Sequence, residues 1–180
     1  MFRSALLKLL LMLLVTVPPI AIAGEKLDAL QTKIASDFSS IEQIDAARFT
    51  ALNPDTTILI DVRELDEYSV SHLKNSQRVS PDIVTADFIQ RFAESAQDKT
   101  FVFYCSVGYR SSELAEQLSQ SLKSAGARNV MNLKGGIFNW HNQSRALFNE
   151  NGQTDKVHPY NSRWGRLLDR QDKALYQPDS

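Results

Sequence analysis

The chain has only one cysteine, Cys105, among its 180 residues. An internal disulfide bond or a Cys-X-X-Cys redox pair requires a second cysteine, so the sequence excludes both. Histidine is also scarce, and the spacing of His72, His141 and His158 fits no metal-binding template. Gly135-Gly136 is not followed by the Lys-Ser/Thr pair of a phosphate-binding loop, so we interpret it as a structural turn. These absences predict a protein without a metal ion or a cofactor.

The sequence also lacks an excess of positive charge. Its 20 Lys and Arg residues are balanced by 21 Asp and Glu residues, which gives a formal net charge of −1 at pH 7. Nucleic-acid-binding domains usually carry a clear basic excess. We therefore expect no nucleic-acid partner.

The one long hydrophobic run lies at the N terminus, where apolar residues 9–17 follow a short positively charged segment. Together with the small residues of Ala21-Ile22-Ala23, it predicts a signal peptide over residues 1–23 that is cleaved before Gly24. A membrane-spanning helix needs about 20 apolar residues, and the Pro18-Pro19 pair leaves fewer. We expect an exported, periplasmic protein with no stable membrane span after cleavage; the alternative is that the segment is kept as an anchor.

The rest of the chain alternates between strand-like and helix-like segments. Short apolar runs predict strands over residues 41–44, 57–62, 77–80, 101–104 and 130–133. Apolar residues at helical spacing and N-cap residues predict helices over residues 25–38, 46–52, 64–70, 82–96, 112–125 and 137–143. Strands separated by helices are typical of an α/β fold, with a central parallel sheet of about five strands and helices on both faces.

Cys105 lies where one of these strands gives way to a helix. The apolar run Thr100–Tyr104 precedes it, and the helical segment follows from Ser112. Backbone N–H groups and the positive end of the helix dipole converge at such a position and favour the thiolate form of a cysteine. The alternative is a buried cysteine that acts as a small hydrophobic residue. A lone thiol in an oxidising compartment is a liability without a use, so we favour a catalytic cysteine.

Three stretches of the sequence resemble the signature motifs of single-domain rhodaneses, a family of sulfurtransferases. They are Asp61-Val-Arg63 with Glu67-Tyr68 and Ser71-His-Leu73, then Cys105-Ser-Val-Gly-Tyr-Arg-Ser111, and finally Leu133-Lys-Gly-Gly-Ile-Phe-Asn-Trp140. The resemblance covers residues 41–148 and implies a rhodanese domain there. A signal peptide (1–23), an N-terminal helical arm (24–40) and a C-terminal tail (149–180) lie outside it, and the resemblance assigns the arm and the tail no chemistry.

The resemblance implies a role for each residue of the loop. Cys105 would be the nucleophile that carries sulfur as a persulfide, and the loop residues would surround it: Ser106, Val107, Gly108, Tyr109 and Ser111. Arg110 would bind the anionic end of the donor and stabilise the thiolate. Asp61 and Arg63 would form an ion pair that supports the loop. The implied partners are a small sulfur donor such as thiosulfate and a thiol or cyanide acceptor, with a protein acceptor as a further possibility.

Two other functions stay open at this level. A non-catalytic module of the same fold would bind sulfur or a protein partner without turnover, but it has no need of Cys105 and Arg110. A small phosphatase or arsenate reductase would use a similar loop. The tyrosine phosphatases have five residues between the cysteine and the arginine, whereas this chain has four. The shorter loop favours sulfur transfer.

Three further interpretations concern surface segments. The sequence Ser71-His-Leu-Lys-Asn-Ser76 stands where many rhodaneses have Gly-His-Ile-Pro-Gly-Ala, and we expect this difference to alter a turn and leave the nucleophile unaffected. Glu64, Asp66 and Glu67 are explained by a solvated helix face. Tyr160 and Trp164 form either a docking surface or part of a tail that folds back over the domain, and we favour the second.

Overall fold

The structure is a computed structural model that describes residues 19–178, with side chains from residue 24 onward. Most of the predicted signal peptide, residues 1–18, lies outside the described residues. None of the helices within the described part of the chain is both long enough and apolar enough to cross a membrane.

The centre of the fold is a five-stranded sheet in which every pair of neighbouring strands is parallel. Its strands are β1 (Glu42–Ile44), β2 (Thr57–Asp61), β3 (Gln77–Arg78), β4 (Thr100–Tyr104) and β5 (Asn129–Leu133). Their order across the sheet is β1-β5-β4-β2-β3. This order puts β4 in the middle and makes β1 an edge strand. The predicted α/β fold class is confirmed.

Six α-helices surround the sheet in the described residues. They are α1 (Pro19–Asp37), α2 (Ala46–Thr50), α3 (Leu65–Val70), α4 (Thr85–Phe92), α5 (Tyr109–Ser124) and α6 (Gly136–Asn142). The predicted helix over residues 82–96 is shorter in the structure, because a 3-10 turn at Ala93–Ser95 follows α4. The predicted helix over residues 25–38 begins six residues earlier, at Pro19, and passes through the expected cleavage site.

Two apolar clusters cover the two faces of the sheet. One is rich in aromatic rings and packs Phe88 and Phe92 of α4 against Phe101 and Phe103 of β4. The other contains Leu27 of α1 together with residues of β4, β5 and α6. Because both of its faces are covered, β4 is buried along its whole length, which is why its sequence is an almost continuous apolar run.

The C-terminal tail folds back over the second face of the sheet. An antiparallel hairpin of β6 (Leu147–Asn149) and β7 (Gly152–Thr154), which the sequence did not predict, spans the boundary between the central domain and the tail. Val157 and Leu168, farther along, are fully buried in the same apolar cluster as Leu27. The tail is therefore part of the folded domain.

The segment Ser71–Ser76 keeps a tight turn although it lacks the glycine that many rhodaneses have there. Asn75 occupies that glycine position and has a φ of 63°. Asparagine tolerates this left-handed conformation better than most residues do, because its short polar side chain can form local hydrogen bonds. Asparagine thus supplies the backbone geometry of the turn.

Two buried histidines predict a loss of stability at acid pH. Burial lowers the pKa of His141 and of His158 below the usual value. His141 donates Nε2–H to the carbonyl oxygen of Asp155 at 3.0 Å, and Nδ1 of His158 accepts from the backbone N–H of Tyr160 at 3.0 Å. The folded state therefore favours neutral histidine. This contribution to stability is complete above about pH 6.5 and is lost as the pH falls through the folded-state pKa values.

Urea unfolding between pH 7.5 and pH 5 measures this effect. In the double variant His141→Gln/His158→Asn, the glutamine keeps a donor near the position of His141 Nε2, and the asparagine keeps an acceptor near the position of His158 Nδ1. Neither side chain can gain a proton. We expect the free energy of unfolding of this variant to fall less than that of the wild type over this range. Equal losses in the two proteins would show that these histidines do not contribute.

Candidate active site

The loop after β4 places the only cysteine at the carboxyl edge of the sheet. Cys105 is 1% exposed, and its Sγ accepts a hydrogen bond from the backbone N–H of Gly108 at 3.2 Å. Helix α5 begins at the next residue, Tyr109. The sulfur therefore lies against the N-terminus of a 16-residue helix, where the dipole favours a negative charge. The loop residues were expected to surround the sulfur. The backbone N–H of Gly108 is the loop amide that donates a hydrogen bond to Cys105 Sγ.

Gly108 is held in this orientation through its carbonyl group. The carbonyl oxygen accepts hydrogen bonds from Ser112 Oγ at 2.7 Å and from Asn132 Nδ2 at 3.4 Å. Gln43 connects these two side chains, since it accepts from Asn132 and donates to Ser112. Gly108 has a φ of 100°, in a region that favours glycine. The network thus fixes the carbonyl on one side, and the N–H points to the sulfur on the other.

The beginning of α6 binds the other side of the loop. The backbone N–H groups of Ile137 and Phe138 donate to the carbonyl oxygens of Cys105 at 2.9 Å and Ser106 at 3.0 Å. Gly136, with a φ of 55°, lies so close that a Cβ atom there would be 2.2 Å from the Cys105 oxygen. The sequence of Gly135-Gly136 predicted a structural turn and gave no sign of a contact with the cysteine. Only the tertiary structure shows that Gly136 allows α6 to approach the loop.

Arg110 is bound by a buried carboxylate. Its Nη2 lies 3.0 Å from Oε2 and 3.1 Å from Oε1 of Glu67, and 3.1 Å from Ser106 Oγ. Ser106 in turn donates to Glu67 at 2.7 Å. Burial alone would lower the pKa of Arg110, but the charges of Cys105 and Glu67 outweigh burial and raise it. Arg110 therefore stays positively charged beside the loop.

Glu67 corrects the interpretation of the acidic patch. It is 1% exposed, whereas the sequence analysis placed it with Glu64 and Asp66 on a solvated helix face. The helical spacing contains the missed signal, since Val70 is three residues farther along α3 and is also 1% exposed. Glu67 therefore lies on the inner face of the helix and belongs to the site.

Asp61 and Arg63 form a buried ion pair at the C-terminal end of β2. Nη2 of Arg63 is 2.6 Å from Oδ2 of Asp61, and both side chains are inaccessible to solvent. The same guanidinium donates to the carbonyl oxygens of Glu67 at 3.2 Å and Ser71 at 2.7 Å. The pair thus holds α3 at Glu67 itself and at Ser71, the residue that follows the helix. Its connection to the cysteine loop passes through Glu67, Ser106 and Arg110.

The remaining loop residues separate into buried and exposed groups. Val107 is 6% exposed and Ser111 is fully buried, while Tyr109 is 44% exposed and contacts Phe38 edge-to-face at 5.1 Å. The Ser111 hydroxyl has no hydrogen-bond partner in the described part of the chain. Val107 and Tyr109 line the mouth of the site, whereas Ser111 does not.

A cavity of about 390 Å³ opens above Cys105. Part of its lining comes from the loop, and the rest comes from the arm and the tail, which the sequence analysis did not connect with the site. The arm and tail residues that line it are Leu30, Lys33, Ile34 and Asp37 of α1, and Tyr160 and Trp164 of the tail. The ring of Tyr160 lies over the Arg110 guanidinium, 4.8 Å from it. The arm and the tail therefore form the outer wall of the candidate active site.

Comparison with known proteins assigns this architecture to a family. The family model of the rhodanese-like domain matches residues 45–143, which is more than half of the chain. The chain belongs to the rhodanese-like domain family. It is also similar to the thiosulfate sulfurtransferase of Pseudomonas aeruginosa, with a TM-score of 0.51 and 19% identity over 78% of this chain and 26% of that protein. At this identity the similarity shows a shared fold alone.

Two curated relatives are similar over part of their length. One is named "Probable adenylyltransferase/sulfurtransferase MoeZ" of Mycobacterium tuberculosis, 35% identical over 47% of this chain and 20% of its own length. The other is a tRNA uridine(34) hydroxylase of Pectobacterium carotovorum, 31% identical over 57% of this chain and 28% of its own length. The chain thus spans less than a third of these relatives, and they share a domain with it.

The contact between Gly136 and Cys105 predicts a specific sensitivity to substitution. Gly136→Ala combines an unfavourable φ with a methyl group that meets the Cys105 carbonyl. Gly152→Ala is the matched control, because Gly152 also has a positive φ, 115°, but no atom within 4 Å of the added Cβ. A left-handed conformation costs a non-glycine residue about 1–2 kcal/mol. We expect Gly152→Ala to lose about this much stability and Gly136→Ala to lose more, as measured by urea unfolding.

Only Gly136→Ala should also change the reactivity of Cys105 towards a thiol-labelling reagent under native conditions, because only Gly136 contacts the loop. Equal stability and equal labelling of the two variants would contradict the assigned role of Gly136.

Proposed function

We propose that the protein is a sulfurtransferase that moves a sulfane sulfur from a donor such as thiosulfate to a thiol or cyanide acceptor through a persulfide on Cys105. The observation that carries this proposal is the position of the Cys105 Sγ at the base of the cavity, with the Gly108 N–H donating to it at 3.2 Å. Cys105 lines this cavity although only 1% of its surface is exposed, so a small molecule that enters the cavity would lie next to it, and the sulfur has a hydrogen-bond donor for its anionic form.

The reaction has two half-reactions. In the first, the Cys105 thiolate attacks the outer sulfur of thiosulfate, the S–S bond of the donor breaks, and sulfite leaves with the bonding electrons. In the second, the acceptor attacks the outer sulfur of the persulfide, and Cys105 leaves as a thiolate. Covalent catalysis of this kind gives ping-pong kinetics.

The surrounding residues have distinct roles in this scheme. Gly108 stabilises the sulfur anion through its N–H, and Arg110 contributes positive charge beside the loop. Ser106 and Glu67 orient Arg110, while Asp61 and Arg63 position Glu67 from below. In the described structure, Cys105 Sγ forms no hydrogen bond with any of these four residues: Ser106, Glu67, Asp61 and Arg63. They are positioning residues.

The comparisons support this proposal at the level of the family. The relative from Mycobacterium tuberculosis has "sulfurtransferase" in its name, and the residues matched by the family model, 45–143, include the cysteine loop. The name of the tRNA hydroxylase shows that the same domain also occurs in proteins of other activity. The substrates proposed here therefore rest on the site itself.

We also propose that the protein is exported to the periplasm. The support is the sequence of residues 1–23, with its charged start, apolar centre and small residues before Gly24. Expression of the full chain in a bacterium, followed by cell fractionation and N-terminal sequencing, tests this. A periplasmic product that starts at Gly24 is the expected result, and a cytoplasmic product that retains residues 1–23 would refute export.

Intact mass after incubation with thiosulfate tests the sulfur-carrier role. We expect the wild type to gain one sulfur atom, which cyanide removes as thiocyanate. Cys105→Ser should gain none, although its circular dichroism spectrum and unfolding curve remain close to those of the wild type. Release of sulfite in equal amount to the bound sulfur would establish the first half-reaction.

The proposal would be contradicted if the protein gains sulfur neither from thiosulfate nor from inorganic polysulfide. In that case the same preparation is assayed for hydrolysis of an aryl phosphate, since the phosphatase alternative uses the same cysteine. A folded protein that is inactive in both assays would indicate a binding module.

A further inference from the structure

The wall of the cavity above Cys105 is predominantly apolar. Leu30 and Ile34 of α1 face it together with Val107 of the loop, and three aromatic side chains complete the lining: Tyr109, Tyr160 and Trp164. The volume of about 390 Å³ falls in the range of about 300–1,000 Å³ that is usual for small-molecule sites. Thiosulfate and cyanide are far smaller than this space, so the volume favours an organic molecule.

The charges in the lining are balanced. Arg110 is bound by the buried carboxylate of Glu67, and Lys33 pairs with Asp37 at the exposed rim at 2.7 Å. Among the lining residues that the structure describes, each cationic side chain thus has an acidic partner within 3.0 Å. An anionic acceptor whose body fills this apolar cavity would lose its hydration without gaining an unpaired cation, whereas thiosulfate is small enough to stay at the loop beside Arg110. A neutral ligand avoids this cost.

We propose that the cavity selects an uncharged organic thiol with an apolar or aromatic body as the sulfur acceptor. This inference rests on the proposed function, because it names the acceptor class for the Cys105 persulfide. The apolar body would occupy the space between α1 and the tail, in contact with Ile34, Tyr160 and Trp164. The thiol group would point down to Cys105.

The transfer step balances without any other reactant. The acceptor R–SH loses its proton, and R–S⁻ attacks the outer sulfur of Cys105–S–SH. The S–S bond of the persulfide breaks and its electrons stay on Cys105 Sγ, which takes up the released proton. The products are R–S–SH and the free thiol of Cys105. The sulfane sulfur changes its partner, and no external oxidant or reductant is consumed.

Single-turnover transfer from the loaded full-length protein tests the acceptor class. The protein is loaded with thiosulfate or inorganic polysulfide, and loss of the persulfide is followed by intact mass. The acceptors are ethanethiol, 1-propanethiol, 1-butanethiol and 2-phenylethanethiol, with 3-mercaptopropionate as an anionic thiol. We expect the rate constant to rise by up to about fourfold for each added methylene group that is buried. It should be lowest for the anion.

Tyr160→Asn tests the apolar wall with little risk to folding. Tyr160 is 44% exposed and has a φ of 63°, a conformation that asparagine tolerates. The matched control is Tyr176→Asn, since Tyr176 is a tail tyrosine with 48% exposure that does not line the cavity. We expect the rate ratio of 2-phenylethanethiol to ethanethiol to be roughly tenfold or more in the wild type and the control. It should fall severalfold in Tyr160→Asn.

Glu67→Gln tests the charge balance. This change leaves Arg110 without its carboxylate and should raise the rate with 3-mercaptopropionate relative to 1-propanethiol. A merely structural role for Glu67 would slow both acceptors by the same factor.

The outcomes separate the two proposals. Absence of a persulfide after both donors would refute the proposed function and this inference with it. A persulfide that forms but reacts equally fast with all the neutral thiols, or fastest with the anion, would overturn the acceptor class alone. An unchanged ratio in Tyr160→Asn would show that the tail does not contact the acceptor.

Discussion

The buried ion pair between Asp61 and Arg63 is the interaction on which the rest of the site depends. Both side chains are removed from solvent, and the guanidinium also binds two carbonyl groups of the α3 region. Loss of one partner of such a pair typically costs about 3–5 kcal/mol, because the other charge stays buried without compensation. The pair fixes Glu67, and Glu67 fixes Arg110 and Ser106. A charge at the end of β2 is thus connected to the loop that follows β4.

The cysteine loop is held from three directions at once. The Arg110–Glu67 pair binds it from the side of α3, the Asn132 and Ser112 side chains bind the Gly108 carbonyl, and α6 binds two further carbonyls. Since the carbonyl groups are occupied by these partners, the Gly108 N–H is left to face the sulfur. The geometry around the Cys105 sulfur is therefore a consequence of the hydrogen bonds that the loop backbone forms with its neighbours.

The arm and the tail add a property that the central domain does not supply. The family match ends at residue 143 and begins at residue 45, yet half of the cavity wall comes from residues outside these limits. These segments are held by apolar burial, through Leu27 and Ile34 on one side and Val157 and Leu168 on the other. They supply the apolar and aromatic outer wall of the cavity that Cys105 lines. Under the proposals made above, the added segments would select the acceptor, and the shared domain would carry out the sulfur chemistry.

The sequence by itself determined the α/β class, the five strands of the parallel sheet and the position of the cysteine at the end of β4, because periodicity and local turn chemistry encode these features directly. It also placed Asp61 and Arg63 close together. The burial of Glu67, the contact of Gly136 with Cys105, and the cavity wall of Tyr160 and Trp164 were decided by the tertiary structure. The contacts that define these features join residues about 30 to 60 positions apart. The spacing of Glu67 and Val70 indicates which face of α3 is buried, but local patterns do not identify the distant partners of these residues, so only packing could bring them to the cysteine.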